Sequence, residues 1–283
     1  MAQKAHPLSL RPTNPFYEGS TRWDKPKFFY IISIIQSLIS NCCAGTNHYL
    51  NKIKIKRSLG FFLIETELIH FHSNPKKAFK SRRYKENRKR KKKVSWVLIA
   101  CRLQKAAELV QKFIGTKKVV VRVKRLKIYT RNVPKPIRKQ LSYYAKRYNL
   151  RKYHYARQGT QLIFLAVQNK ATASALMRYI KQNIHSRQKR KKHYLFLQFL
   201  ERAFEAVKDY KRIQGLKVQI KGRYAHRAKG RSQKWRYQLG QLAMTQLDNQ
   251  VQAEYNYAYT GFGCVGLKIW ISNHEKVIKN RCL

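Results

Sequence analysis

Six cations crowd residues 223 to 236: Arg223, Arg227, Lys229, Arg231, Lys234 and Arg236, with Trp235 and Tyr237 interleaved and no carboxylate before Asp248. A guanidinium presents two parallel N–H donors to a phosphate, and an aromatic face stacks on an exposed base. The chemistry on offer is a hold on a nucleic-acid backbone. A loop of this composition that nothing pinned would be only a solvated basic surface, so the elements around it decide its use.

Two more clusters share that chemistry. From Lys76 to Lys93 the chain carries 12 Lys or Arg and one acid, Glu86. Lys76, Lys77, Arg82, Arg83, Arg88, Lys89 and Arg90 belong to it and are candidate RNA contacts. A like-charge block this dense cannot bury itself and is expected to stay disordered until RNA neutralises it. Arg187, Lys189, Arg190, Lys191 and Lys192 form the third cluster.

Side chains suited to catalysis are scarcer. Glu65 and Glu67 share one face of an expected strand, and His70 and His72 the other. Neither pair has the further partners that acid–base work or a zinc site requires, and the glutamates are expected to pair with neighbouring Lys or Arg. Gly261-Phe-Gly-Cys-Val-Gly266 spells a dinucleotide fingerprint, but a strand follows it where that site needs a helix, so these glycines are expected to shape a turn. Cys42, Cys43, Cys101, Cys264 and Cys282 show neither Cys-x-x-Cys nor a paired zinc spacing, and reduced thiols are expected. No catalytic residue, metal, cofactor or small-molecule substrate is expected.

Across all 283 residues, 63 Lys and Arg face 12 Asp and Glu, a formal charge of +51. Self-repulsion on that scale works against a compact state unless a polyanion neutralises it. A membrane-binding chain would set its charge beside an apolar anchor. The most apolar run here, Phe28 to Ile39, is broken by Ser33, Gln36 and Ser37 and is too short to span a bilayer. It reads as a buried helix, with RNA as the expected partner and no membrane.

Alternation supplies the frame around the 223–236 cluster. Leu216, Val218 and Ile220 alternate with Lys217, Gln219 and Lys221, and Leu267, Ile269 and Ile271 with Lys268 and Trp270, so two strands bracket the cluster as a loop. Upstream, a helix is expected over 26–43, then a hairpin of strands through Ile53 and Ile55 and over 61–71. A helix over 96–114, a strand through Val119, Val121 and Val123, a helix over 134–148 opened by Pro134, and an apolar strand from Leu162 to Val167 follow. Leu176, Ile180 and Ile184 mark one amphipathic helix; Phe196, Leu200, Ala203, Val207 and Tyr210 mark another.

In this order the motifs resemble the small-subunit ribosomal protein three family in its organellar form. Gly215 to Ile220, Gly222, Arg223, Arg231 and Phe262 to Ile271 match its carboxyl-terminal pattern. The opening Met-Ala-Gln-Lys-Ala-His-Pro is similar to its start. The resemblance implies an α+β protein: a divergent KH-like domain over 1–168, with a basic insertion within 73–160, then a two-helix plus β-sheet domain over 169–283. No Gly-x-x-Gly loop, the nucleotide clamp of a KH fold, occurs in residues 73–160.

The implied function is structural, in the head of the small ribosomal subunit. Small-subunit rRNA would be held by Arg223, Arg227, Lys229, Arg231, Lys234, Arg236 and the 76–93 block, with other head proteins as neighbours. Family members also place basic helical side chains where messenger RNA enters; here that role falls to Arg187, Lys189, Arg190, Lys191, Lys192 and Arg202. Gln198, Phe199, Glu201 and Glu205 stand where a basic cluster is expected, which weakens any unwinding role. A composition rich in Lys, Tyr, Ile, Phe and Asn points to an organellar genome, mitochondrial before plastid. The alternative is a basic organellar nuclease for RNA processing or introns, but Mg²⁺-dependent cleavage needs clustered carboxylates and the acids are scattered from Glu18 to Glu275.

Overall fold

The computed structural model describes residues 26–43, 48–58, 61–70, 82–114, 118–126, 133–148, 155–168, 170–185, 193–208, 213–223, 231–242, 244 and 251–273. These form six helices and two sheets in a mixed α+β arrangement. The family-like opening at residues 1–11 lies outside the described residues. The chain parts into two compact units, one over Ser20–Lys127 and the other built on Ile128–Leu283.

In the first unit, helix α1 (Pro26–Cys42) precedes a hairpin of β1 (His48–Ser58) and β2 (Phe61–His70), followed by α2 (Arg82–Ile114) and β3 (Lys118–Leu126). The sheet order is β1-β2-β3, antiparallel between β1 and β2 and parallel between β2 and β3. A parallel neighbour needs a long crossover, which α2 supplies. Ile99, Leu103 and Val110 recur at helical spacing along α2 and join Ile35 and Ile39 of α1 with Leu50, Ile53, Ile64 and Leu68 of the sheet in one core.

Two expectations meet this unit. Glu65 and Glu67 do pair with cations, Arg122 Nη1 at 3.7 Å and Lys124 Nζ at 3.5 Å. The basic block is a correction: from Arg82 onward its backbone is the first third of α2, where disorder was expected. Lys, Arg and Glu rank among the better helix formers, and a helix fans their charges around its axis. Lys76, Lys77 and the side chains of Arg82, Arg83, Arg88, Lys89 and Arg90 lie outside the described residues, as does His72.

The second unit runs through α3 (Lys135–Arg147), α4 (Tyr155–Val167), α5 (Ala173–His185), α6 (His193–Glu205), β4 (Ile213–Gly222), β5 (Gln233–Gly240), β6 (Val251–Thr260) and β7 (Gly263–Asn273). The stretch from Leu162 to Val167, expected as an apolar strand, is helix. A short apolar run reads the same in a buried helix and a buried strand, and α4 is buried because α3, α5 and α6 all pack on it. Tyr179 donates its hydroxyl to the Tyr155 carbonyl at 2.8 Å, with Phe196 and Phe199 around them. The expected boundary at 168/169 lies within Ile128–Leu283, a stretch that clusters in one compact unit.

Strands β5-β4-β7-β6 make a fully antiparallel sheet. Helix α5 lies along β6 and β7 and α6 against β5. Every second residue of β6 faces α5: Gln252 accepts from the Ala173 amide at 2.9 Å, Glu254 from the Ser174 hydroxyl at 3.1 Å and Asn256 from Lys181 Nζ at 3.0 Å. Burial raises the Glu254 carboxyl above its ordinary value, against the opposing pull of Ser174 and Arg178.

Candidate nucleic-acid interface

Alternation divides the four-stranded sheet into a helix-covered face and an open one. Leu216, Val218 and Ile220 of β4 and Leu267, Ile269 and Ile271 of β7 are buried on the covered face. Their neighbours in sequence point the other way and build rungs across the sheet. One rung is Tyr255, Lys268, Gln219 and Arg236; the next is Tyr257, Gly266, Lys221 and Lys234; a third holds Ala253, Trp270, Lys217 and Gln238. The open face therefore carries five cations and, among the described residues, no carboxylate. Val251, Ala253 and Trp270 are buried, so its exposed part is the end nearest the β6–β7 turn.

Two of these cations are seated on rings. Lys217 Nζ lies 5.4 Å from the centre of Trp270 and Lys268 Nζ 5.1 Å from that of Tyr255. Trp270 Nε1 in turn donates to the Tyr255 hydroxyl at 3.1 Å. Such contacts hold ammonium groups at fixed heights over the sheet while leaving them able to meet an anion.

Of the six cations expected at residues 223–236, four are described. Arg223, half-buried just past β4, sets its guanidinium carbon 5.5 Å from the Phe262 ring centre. Arg231 is exposed ahead of β5, and Lys234 and Arg236 are exposed on it, with Arg236 Nη2 donating to Gln238 Oε1 at 2.6 Å. Arg227 and Lys229 lie outside the described residues. The cluster was expected as a loop between two strands; instead its second half is itself strand β5, and the bracketing strands β4 and β7 are hydrogen-bonded neighbours.

That strand also separates the aromatics from the cations they follow in sequence. Trp235 and Tyr237 fall on the helix-covered face: Tyr237 stacks on Phe204 of α6 with ring centres 5.6 Å apart, and Trp235 on Tyr237 at 6.3 Å. Burial, followed by Glu205 and Glu201, pushes the Tyr237 phenol up to about 12. The rings that do share the cationic face are Tyr255, Tyr257 and Tyr259. Sequence reasoning missed them, with Lys217, Lys221 and Lys268, although Tyr-Asn-Tyr-Ala-Tyr in β6 alternates as plainly as β4 does.

The remaining candidates separate cleanly. Gly261 and Phe262 form the turn of the β6–β7 hairpin, where the Phe262 amide donates to Thr260 Oγ1 at 3.2 Å, so Gly261 and the adjoining Gly263 shape a turn as expected, while Gly266 lies within β7 between Tyr257 and Lys221. Arg202, exposed on α6, donates to Glu205 Oε2 at 3.0 Å, and this partner raises its already high pKa. Arg187, Lys189, Arg190, Lys191 and Lys192 lie outside the described residues. In the first unit, Lys52, Lys54, Glu65, Glu67, Arg122 and Lys124 line a cavity of about 270 Å³. Among the described residues no three His, Cys, Asp or Glu side chains gather as a metal-ligating group, and no helix is long and apolar enough to cross a membrane. Compared with known proteins, the chain matches no family model, and no curated protein matches it significantly.

Proposed function

We propose that this protein is a structural, RNA-binding constituent of the small subunit of a mitochondrial ribosome, seated in its head among other head proteins. The observation that carries the reading is the juxtaposition of β4 and β7. The two stretches that resemble the ribosomal protein three family, 215–223 and 262–271, are separated in sequence yet pair in register, and Arg223 of one lies on Phe262 of the other. Their shared open face offers cations without a competing carboxylate, which suits the phosphates of small-subunit rRNA.

The first unit supports a KH-like reading through its α-β-β-α-β order and its mixed sheet. Residues 73–160 contain no Gly-x-x-Gly loop, so it serves as a scaffold without the usual nucleotide clamp. Arg202 is engaged by Glu205, and the messenger RNA contact rests on the cluster Arg187, Lys189, Arg190, Lys191 and Lys192.

Sedimentation of organellar lysate through a sucrose gradient tests the reading. The protein should travel with small subunits and leave them in increments as salt rises. A surface meeting six or more phosphates loses on the order of a thousandfold in affinity over a severalfold salt increase. A free pool bound to DNA, with none on ribosomal particles, would end the proposal.

A further inference from the structure

Tyr257 and Tyr259 stand 52% and 60% exposed on the open face of the second sheet; their rings meet edge to face with centres 5.3 Å apart, and Lys181 Nζ of α5 lies 5.4 Å from the Tyr257 ring centre, so each ring has part of its surface engaged and the rest open. Across from Tyr257 comes Gly266, then Lys221, then Lys234. A Cβ built at Gly266 would come no nearer than 3.7 Å to any heavy atom, the Lys221 carbonyl oxygen being the one it meets. Packing does not demand a glycine there. The consequence of having one is a bare lane between an aromatic column and a cationic column, two strand spacings or about 9.6 Å apart.

We propose that this lane is a docking site for single-stranded RNA: unpaired bases stack on Tyr257 and Tyr259 while Lys221 and Lys234 take the phosphates. Charge complementarity favours a polyanion, since the face carries cations and, among its described residues, no carboxylate. The exposed rings narrow the choice. A duplex keeps its bases stacked inside and offers the tyrosines nothing to hold, whereas a single strand offers a π-face at every nucleotide. An acidic protein surface would use the lysines and leave the rings in water. The site rests on the reading that this chain binds RNA, and not on its membership of a ribosome.

Fluorescence anisotropy with the full-length protein tests it, using a labelled oligouridylate, a labelled RNA duplex of equal length, and inorganic polyphosphate as a base-free competitor. The pair Tyr257→Ala, Tyr259→Ala should weaken oligouridylate binding by about tenfold or more, because each base–aromatic stack is worth roughly five- to a hundredfold. The slope of affinity against salt should stay put. The pair Tyr257→Phe, Tyr259→Phe keeps both rings and should bind like the parent, which separates stacking from any loss of fold. Lys221→Gln and Lys234→Gln should each lower the logarithmic salt slope by about 0.7.

Oligouridylate binding unchanged by the alanine pair would overturn the site, as would polyphosphate competing as well per charge as the oligouridylate. If duplex binding persists in either case, the docking site falls and the RNA-binding reading stands. If neither RNA binds, both fall together.

Discussion

The Arg223 guanidinium rests over the Phe262 ring, with 5.5 Å between its carbon and the ring centre, and the Arg223 carbonyl accepts from Thr260 Oγ1 at 3.3 Å. Side chain and backbone of one cation are thus held by one hairpin turn. Arg223 follows the last residue of β4 and Phe262 occupies the turn into β7, so this contact closes the end of the sheet where the exposed cations lie. A guanidinium already ordered by its neighbours gives up less conformational freedom when it meets a phosphate than one on a free stem.

Replacing Phe262 with Leu keeps apolar bulk and removes the ring face. Loss of a cation–π contact at a partly exposed site should lower stability by only about 0.5–1 kcal/mol, measured by urea unfolding. The larger effect should appear in RNA affinity, because Arg223 loses its seat. Arg223→Lys should weaken RNA binding too, since an ammonium cannot reproduce the planar fork. Equal affinity of Phe262→Leu and parent would show that the seat does not matter for binding.

Two glycines of the same sheet should respond in opposite ways. Gly240 ends β5 at φ 64°, opposite Gly215, and a Cβ there would meet the Gln214 carbonyl oxygen. Gly240→Ala should therefore cost more than about 1–2 kcal/mol, the left-handed penalty with a backbone clash added. Gly266→Ala meets only an ordinary contact at 3.7 Å and should change stability by less than about 1 kcal/mol. Urea midpoints of the two variants decide this, and equal losses would refute it.

What could be read from the chain follows from where a pattern has one physical meaning. Leu216, Val218 and Ile220 alternate over enough residues that only a half-buried strand fits, and Leu176, Ile180 and Ile184 likewise fit only a helix face. Leu162 to Val167 is apolar at nearly every position, which removes the period; tertiary packing decides, and Gly159 shows how. A Cβ there would lie 2.5 Å from the Tyr179 hydroxyl and 2.7 Å from the Phe199 ring, so α4 approaches α5 and α6 more closely than a side chain would allow. Strand β5 is obscured for another reason: its outward positions are Lys234, Arg236 and Gln238, and cations suggest a loop until Trp235, Tyr237 and Leu239 are seen to alternate with them. The site suffered most, because counting charges in sequence groups Trp235 with Arg236, while the pleat sends them to opposite faces.

The two carboxylates of the first sheet each sit between cations on both sides. In register, Glu65 faces Lys54 and Arg122, and Glu67 faces Lys52 and Lys124. Glu65→Gln with Glu67→Gln leaves four cations facing one another across three strands. Each pair is partly exposed, so the expected loss is about 0.5–1 kcal/mol per site, and it should shrink in high salt as screening weakens both attraction and repulsion. Chemical unfolding at low and high salt measures it. A loss that does not change with salt would mean that shape, not charge, holds these strands in place.

His48 gives the first unit a defined acid sensitivity. It is buried on β1, with its Nε2 2.9 Å from His70 Nδ1 of β2. Burial first, then His70 and Arg125, holds its imidazole at about 4 against an ordinary 6.5. Between those values the unfolded chain binds a proton that the folded chain does not, so stability must fall as pH drops through that window and level off for this group below about pH 4. The slope for one proton cannot exceed about 1.4 kcal/mol per pH unit. Because carboxylates also titrate in the lower part of the range, the informative quantity is the difference between parent and His48→Asn in urea midpoint across the window. That difference should change steadily with pH, the parent losing more as acidity rises. Parallel curves would show that His48 carries no differential proton binding.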